Sequence, residues 1–382
     1  MKTISKLYFS ALVLMQTLMP ASMTGKTTTD VVETPASDSR ITFIGRTQIH
    51  GDSVSFDWTG VYARVKFEGT YLAARVSDTR RNYYEVWLDA ASTADKPDKT
   101  ITTHGKDSLI VLFDDADFTA KYGKKTPKGP HQVVILKRTE GEQGKTTFSK
   151  FITHGSLLQA DGIKARQIEF IGDSYTCGYG TEGKSPTERF SPATENVNLS
   201  YAAIVGRYFN ADYFVVAHSG WGIARNYNDN MKGDYMSGRY MRTFDCNENV
   251  QWDSKASNFK PAITVILLGT NDFSTGRQPT LAAWKTGYLA LLKEIKANYG
   301  DKHPILCTAA RGDMMVFDYV RAAVDACGME NVSFMCYGPN IFLDAELGSD
   351  YHPNYDAHRK IAHSVIPYIS TMAGWPISDN IK

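Results

Sequence analysis

The stretch that decides the reading is Gln167–Gly180, QIEFIGDSYTCGYG. Ile168 to Ile171 reads as an apolar strand, and the chain then turns through Gly172-Asp173-Ser174 into the glycine-studded Gly178-Tyr179-Gly180. A serine placed where a buried strand ends sits at the rim of a sheet. There its hydroxyl can face a cleft while its backbone N–H stays free. Ser174 is therefore the candidate nucleophile, and the rest of the chain is read for the partners a serine needs.

Downstream, strands and helices alternate. Strands are predicted over Gln167–Gly172, Tyr213–Ala217, Ile263–Leu268, Pro304–Thr308 and Val332–Cys336. Helices are predicted over Leu199–Tyr208, Thr280–Asn298, Met314–Ala326 and Asp356–Met372. In the second helix Leu281, Trp284, Tyr288, Leu291, Leu292 and Ile295 recur at three- and four-residue spacing, which makes a core-facing stripe. Strands separated by helices imply a parallel, doubly wound sheet, which binds ligands outside the carboxyl ends of its strands. The polar clusters fall at those ends: Asp173-Ser174, then His218-Ser219-Gly220-Trp221-Gly222, then Gly269-Thr270-Asn271-Asp272. Asp350-Tyr351-His352-Pro353 follows the last strand.

Upstream, residues 40–155 read as all-β. ITFIGRTQI, VSFDWTGVYARVKF, YLAARVSD, YYEVWLDA, DSLIVLF, HQVVILKRT and TTFSKFITHG are short runs rich in Val, Ile, Tyr, Phe and Thr, separated by turn residues. This is the pattern of a sandwich or jelly roll, without strong helix signals. Val61, Ala63, Val65 and Phe67 alternate onto one face.

Ahead of this lie Lys2, Lys6 and an apolar run from Leu7 to Leu18 that ends in Pro20-Ala21-Ser22. That run is too short for a membrane span and fits a cleaved signal peptide, residues 1–23. Residues 24–39, rich in Thr, Ser, Asp and Pro, are expected to be a flexible linker. The domain boundaries are then 40–160 for the β module and 161–382 for the α/β module.

At 382 residues, 42% hydrophobic and 22% charged, the chain can bury a sizeable core. A net charge of +1 without long charged runs argues against nucleic acid or an anionic membrane as the main partner. The cysteines are Cys177, Cys246, Cys307, Cys327 and Cys336, an odd count, and no pair has zinc-ligand spacing. Cys327 and Cys336 fit either a pair or two small buried hydrophobes.

Serine hydrolysis needs a nucleophile, a base, a group to orient the base, and donors for an oxyanion. The candidates are Ser174 as nucleophile, His352 as base and Asp350 as orienting acid. The oxyanion donors would be the N–H groups of Ser174 and Gly220 and the Asn271 amide. Each has a plainer alternative. Ser174 would serve as a helix cap, the glycines as turn residues, Asn271-Asp272 as a turn pair and His352 as a surface histidine. What favours chemistry is their order, each cluster sitting at a strand end of one sheet.

These four blocks, Ser174 in GDSYTCGYG, Gly220 in HSGWG, Asn271 in GTND and His352 in DYHP, resemble the SGNH hydrolases, also called GDSL esterases. The resemblance runs from about Ile168 to Met372, and Ser174 is not embedded in the G-x-S-x-G of the α/β-hydrolases. Most of that superfamily places the acid three residues before the histidine, whereas Asp350 is two before. GDSYTCGYG, SGWGIARNY, LLGTNDFS and GSDYHPN are similar to carbohydrate esterase family 2, whose members carry an N-terminal jelly roll. IGRTQIHGDSVSFDWTGVYARVKFEGT fits that arrangement.

The resemblance implies removal of acetyl groups from plant-type polysaccharides, often at a primary hydroxyl of a hexose. It also implies that in some members a backbone carbonyl replaces the orienting acid. In an extended D-x-H segment the two side chains point to opposite faces, so Asp350 reaches His352 only if the loop bends. Tyr351 and Tyr227 are implied to line the pocket, with Trp221 near by sequence. Trp221 packed against the sheet edge is the equal alternative. Asp173 and Asp272 are expected to hold loops.

The expected fold is thus an α/β SGNH hydrolase domain, flavodoxin-like and three-layered with a five-stranded parallel sheet, behind an all-β jelly-roll domain. The expected activity is that of a secreted or periplasmic serine esterase that deacetylates polysaccharide as a monomer, with no metal and no cofactor. The alternatives are an esterase for other acyl esters, such as cell-wall O-acetyl groups, and a non-catalytic carbohydrate-binding protein.

Overall fold

The computed structural model describes residues 31–310, 314–337 and 341–378. The segment read as a signal peptide lies outside them. In the N-terminal module, strands β1 (Val31–Pro35), β2 (Thr42–Ile44), β3 (Gln48–His50), β4 (Ser53–Phe56), β5 (Tyr62–Leu88), β6 (Lys99–Phe113), β7 (Pro130–Lys137) and β8 (Thr146–Leu158) form one eight-stranded sheet. Every pairing in it is antiparallel.

Three expectations change here. Residues 31–35 are not linker: β1 pairs with β8 from Val31↔His154 to Pro35↔Lys150. Its Val-Val-Glu-Thr run has strand propensity, and an open sheet edge was there to take it. A helix, α1 (Asp115–Tyr122), interrupts the β pattern. Its signals are local: Asp114 caps the Asp117 N–H, Asp115 and Asp117 sit in the first turn, and Gly123 closes it at φ 66°. The runs expected as separate strands between Tyr62 and Leu88 are one 27-residue strand, β5.

Both ends of β5 pair with β7, at Tyr62–Glu68 and at Tyr84–Leu88, so the strand curls until the sheet meets itself. Glycines permit one tight passage in that curl. Gly69 and Gly155 are register partners. A Cβ on Gly69 would lie 2.0 Å from the His154 carbonyl oxygen, and one on Gly155 would lie 2.1 Å from that of Glu68. Both glycines have positive φ, 119° and 141°.

The second module is built on β9 (Gln167–Gly172), β10 (Asp212–Ala217), β13 (Ile263–Leu267), β14 (Ile305–Thr308) and β15 (Val332–Phe334), all parallel, in the order β10-β9-β13-β14-β15. The strand order reverses between β9 and β13, which places a ligand crevice there. A small ribbon of β11 (Arg242–Phe244) and β12 (Asn247–Gln251) stands apart.

The α2 turn (Ser174–Cys177) follows β9, and α4 (Met236–Arg239) precedes the ribbon. Helices α3 (Tyr201–Tyr208) and α7 (Tyr355–Ala373) pack together, as do α5 (Leu281–Tyr299) and α6 (Met314–Cys327). Right-handed crossovers put the two pairs on opposite faces of the sheet. The α5 stripe is buried from Trp284 through Ile295, whereas Leu281, the first residue of the helix, is 39% exposed. Among the described residues no helix is long and apolar enough to cross a membrane.

One hydrophobic core runs through both modules. Polar pairs orient the contact between them. Arg64 of β5 forms a fully buried ion pair with Asp212 at the start of β10, and the Tyr62 hydroxyl donates to the same carboxylate at 2.8 Å. Arg46 lies 3.5 Å from Glu169 of β9 and packs its guanidinium 4.1 Å from the centre of the Trp252 ring. Buried pairs of this kind add little net stability, but deleting one partner is costly, so they favour one relative placement of the two modules.

Candidate active site

Gly172 ends β9 where a side chain would strike Thr176 Oγ1 at 1.9 Å. Asp173 then caps α2 by accepting the Tyr175 N–H at 3.1 Å, and Ser174 becomes the first residue of a single helical turn. That turn stops at Gly178, φ 75°. Ser174 is 5% exposed. Its N–H, as the first of a helix, has no partner within the helix.

His352 comes from the far end of the chain. Its Nε2 lies 2.9 Å from Ser174 Oγ. Its Nδ1 lies 2.9 Å from the backbone carbonyl oxygen of Asp350. A carbonyl can only accept, so Nδ1 carries the proton and Nε2 presents its lone pair to the serine. Burial pushes the imidazole down to about 4, against the upward pull of the Asp350 contact, so it is neutral at physiological pH.

The expectation that the Asp350 carboxylate orients His352 is corrected. Asp350 and Tyr351 both adopt the left-handed region, φ 47° and 61°. The loop bends, but in a sense that turns the carbonyl of Asp350 to the imidazole. The carboxylate turns away to accept the Phe190 N–H at 3.0 Å and the Tyr179 hydroxyl at 3.2 Å, and to pair with Arg189 at 3.1 Å. The Asp350 and Tyr351 N–H groups bond to the carbonyls of Glu188 and Pro186, which hold the bend. Two consecutive left-handed non-glycine residues cost roughly 1–3 kcal/mol each, met by those contacts.

Gly220 sits in the turn after β10 at φ 86°, and its carbonyl accepts the Tyr227 N–H at 2.7 Å. The Asn271 amide donates to the Trp221 carbonyl at 2.9 Å and lies 3.4 Å from Asp173 Oδ2. Asp272 holds the loop after Gly220 by accepting the N–H groups of Ile223, Ala224 and Arg225. Burial raises the carboxyls of both Asp173 and Asp272 to about 7.

The three candidate pocket aromatics part company. Tyr227 and Tyr351 are exposed, at 52% and 63%, beside Gly220 and His352 respectively. Trp221 is only 9% exposed. The His218 ring packs on it at 3.9 Å and the Arg239 guanidinium lies 4.4 Å from its centre. With its ring so covered, Trp221 braces the Gly220 loop and is no open platform for a sugar.

Sequence reasoning missed Tyr179 and Phe190. Their rings stack at 3.9 Å, and Tyr179 lies 4.3 Å from the imidazole of His352. Together they shield the base from water. Tyr179 was visible in GYG, but the fold alone says what it covers. Equally unforeseen is the buried ion pair of His218 Nδ1 with Asp245 at 2.5 Å, which raises the imidazole to about 10 despite its burial.

Among the described residues one cluster has metal-ligating side chains within reach of one another: Glu140, Cys177 and Glu195, all buried. Burial pushes both the Glu195 carboxyl and the Cys177 thiol well above their ordinary values, so both hold their protons. Glu140 already accepts the Ser219 N–H at 2.7 Å and lies 3.5 Å from the Cys177 sulfur. The chemistry of this set is hydrogen bonding.

A doubly wound sheet with a Ser–His pair at its switch point, a positive-φ glycine in the turn after β10 and an asparagine after β13 have the arrangement of an SGNH-type, or GDSL, hydrolase. The model of the GDSL-like Lipase/Acylhydrolase family matches residues 170–360. The model of the Carbohydrate esterase 2 N-terminal domain matches residues 43–160. A family two carbohydrate esterase from Clostridium thermocellum, solved in complex with cellohexaose, is 30% identical with a TM-score of 0.77, covering 88% of this chain and 100% of that one. The chain belongs to carbohydrate esterase family 2.

The cellulase/esterase CelE of Acetivibrio thermocellus is 32% identical over 326 residues, 83% of this chain but only 38% of that protein. An acetylxylan esterase / glucomannan deacetylase of Cellvibrio japonicus is 27% identical over 337 residues, covering 84% and 87% of the two chains.

Proposed function

We propose that the protein is a secreted esterase that removes O-acetyl groups from hemicellulose-type polysaccharides, including 6-O-acetyl groups of hexoses, through an acetyl-Ser174 intermediate. The carrying observation is the 2.9 Å contact between Ser174 Oγ and His352 Nε2, with Nδ1 held by a carbonyl. His352 takes the serine proton as Oγ attacks the acetyl carbon. The oxyanion forms against the N–H groups of Ser174 and Gly220 and the Asn271 amide. That amide donates to the Trp221 carbonyl at 2.9 Å and, more weakly at 3.4 Å, to Asp173, and the hydrogen of the weaker bond transfers to the oxyanion as it forms. Each such donor contributes about 3–4 kcal/mol to the transition state.

His352 then protonates the departing sugar hydroxyl, and a water activated in the same way releases acetate. Tyr227, against the Gly220 turn, and Tyr351, next to His352, offer exposed faces to the sugar. The relatives named for acetylxylan and glucomannan support the substrate class. The antiparallel module is read as a jelly roll, and the protein as a monomer.

Acetate release from acetylated xylan and glucomannan tests the proposal. Ser174→Ala should abolish release while the protein stays folded, and retained turnover in that variant refutes it. A preference for acetyl over longer aryl esters separates this activity from a general esterase.

A further inference from the structure

The N-terminal module does more than lie beside the catalytic one. The loop between β7 and β8 enters the second module and ends against the Gly220 turn. Glu140, 1% exposed, accepts the Ser219 N–H at 2.7 Å through Oε2. This is the peptide N–H immediately before the one that Gly220 would offer to an oxyanion. The buried Lys137 ammonium donates to the carbonyls of Thr139 and Glu140, at 2.5 and 3.0 Å, and so fixes the loop that carries the carboxylate.

The fit around the loop is close. Gly141 faces Asp245 so tightly that a Cβ would lie 2.4 Å from Oδ2. Asp245 in turn holds His218 Nδ1, and its own N–H donates at 2.7 Å to Asp57, another residue of the N-terminal module. The turn His218-Ser219-Gly220 is thus gripped by the first module at Ser219, through Glu140, and at His218, through Asp245 and through Glu142, whose carboxylate lies 3.7 Å from Nε2.

We propose that Glu140 is a positioning residue for the oxyanion hole: by capturing the Ser219 N–H it sets the turn in the conformation that leaves the Gly220 N–H for the developing negative charge. The N-terminal module then takes part in positioning the oxyanion hole, with Glu140 as its direct contact to the Ser219 N–H. This rests on the Ser174 acyl-transfer reading. A carboxylate is the strongest available acceptor for this partly buried N–H, and it makes the turn adopt one geometry before substrate arrives. Glu195, protonated beside it, allows a second carboxyl in the same pocket without a second charge.

The test uses the full chain. Glu140→Met keeps the side-chain length and removes the acceptor. It should lower kcat by about 30- to 100-fold, approaching the loss of one oxyanion donor, with KM changed less than about twofold. Affinity for a trifluoromethyl ketone, whose hemiketal oxygen occupies the hole, should weaken by the same factor. Glu140→Gln, whose amide oxygen can still accept the N–H, should recover kcat to within about fivefold. Should Glu140→Met fail to fold, Gly141→Ala displaces the same loop against Asp245 and should show the same kcat-specific loss. An unchanged kcat in a folded Glu140→Met or Gly141→Ala, equal losses in the Met and Gln variants, or a loss wholly in KM overturns the proposal. None of these results depends on whether Ser174→Ala is inactive, which tests the underlying reading separately.

Discussion

Asp350→Asn distinguishes two ways of supporting the base. In a triad with a carboxylate on Nδ1, the same change presents an amide that favours the wrong tautomer, and kcat falls about 10⁴-fold, or about 5 kcal/mol. Here Nδ1 faces the Asp350 carbonyl oxygen at 2.9 Å, which the substitution leaves in place. Asparagine tolerates the left-handed φ of 47° at this position nearly as well as aspartate. Its side-chain oxygen can keep the Phe190 N–H and the Tyr179 hydroxyl, as neutral rather than charge-assisted bonds, at a cost of about 1 kcal/mol. The pair with Arg189 is lost, but that side chain is 90% exposed and the interaction is screened. We expect Asp350→Asn to retain kcat/KM within about fivefold, while His352→Ala loses nearly all activity. Asp350→Ala should be worse than Asp350→Asn, because it drops both side-chain bonds and strains the backbone. Initial rates on an aryl acetate and on acetylated xylan, with circular dichroism to verify folding, give the answer. A loss of about 10³-fold or more in folded Asp350→Asn would refute carbonyl support.

His352 should remain neutral well into acid. Its ¹⁵N shifts should keep the Nδ1–H pattern from pH 8 to near 5 and change only as pH approaches about 4; a midpoint at 6.5 counts against burial as the dominant influence. Because the folded value lies below the unfolded 6.5, the unfolded chain binds the extra proton first, so this group's stability contribution is complete above about 6.5 and is lost as pH falls toward 4. Tyr179→Ala should raise the His352 midpoint and lower kcat/KM by roughly tenfold, part of the 10²–10⁴ a positioned base supplies, whereas Tyr179→Phe keeps the ring contacts and should stay near the parent; equal effects of the two would contradict shielding by the ring. Gly155→Ala should destabilise the protein by more than about 2 kcal/mol in urea unfolding, since its Cβ would sit 2.1 Å from a backbone oxygen; a change under about 0.5 kcal/mol would mean the strands can part there cheaply.

Where pattern is local, the sequence was a sufficient guide. The five parallel strands and four long helices lay within a residue or two of their predicted positions, because apolar periodicity and caps act over a turn or two. The N-terminal module was less legible. Whether β5 is one strand or three depends on glycine-lined contacts with β8, 86 residues away in the Gly69↔Gly155 pair, and not on anything within its own run. The alternation at Val61–Phe67 placed one face in the core correctly. It could not tell that Tyr62 and Arg64, on the other face, would be buried as well, against Asp212 of the second module.

The site divides in the same way. The amino-acid sequence by itself determined that a serine, a glycine, an asparagine and a histidine stand at the carboxyl edge of one parallel sheet. Strand ends and switch points follow from local pattern and chain handedness. Only the tertiary structure decided which atom of Asp350 serves His352, that the Trp221 ring is covered, and that Glu140 reaches the Gly220 turn. Each of those depends on the sign of one or two backbone angles or on a side chain arriving from a distant strand. A residue's type in the sequence carries neither.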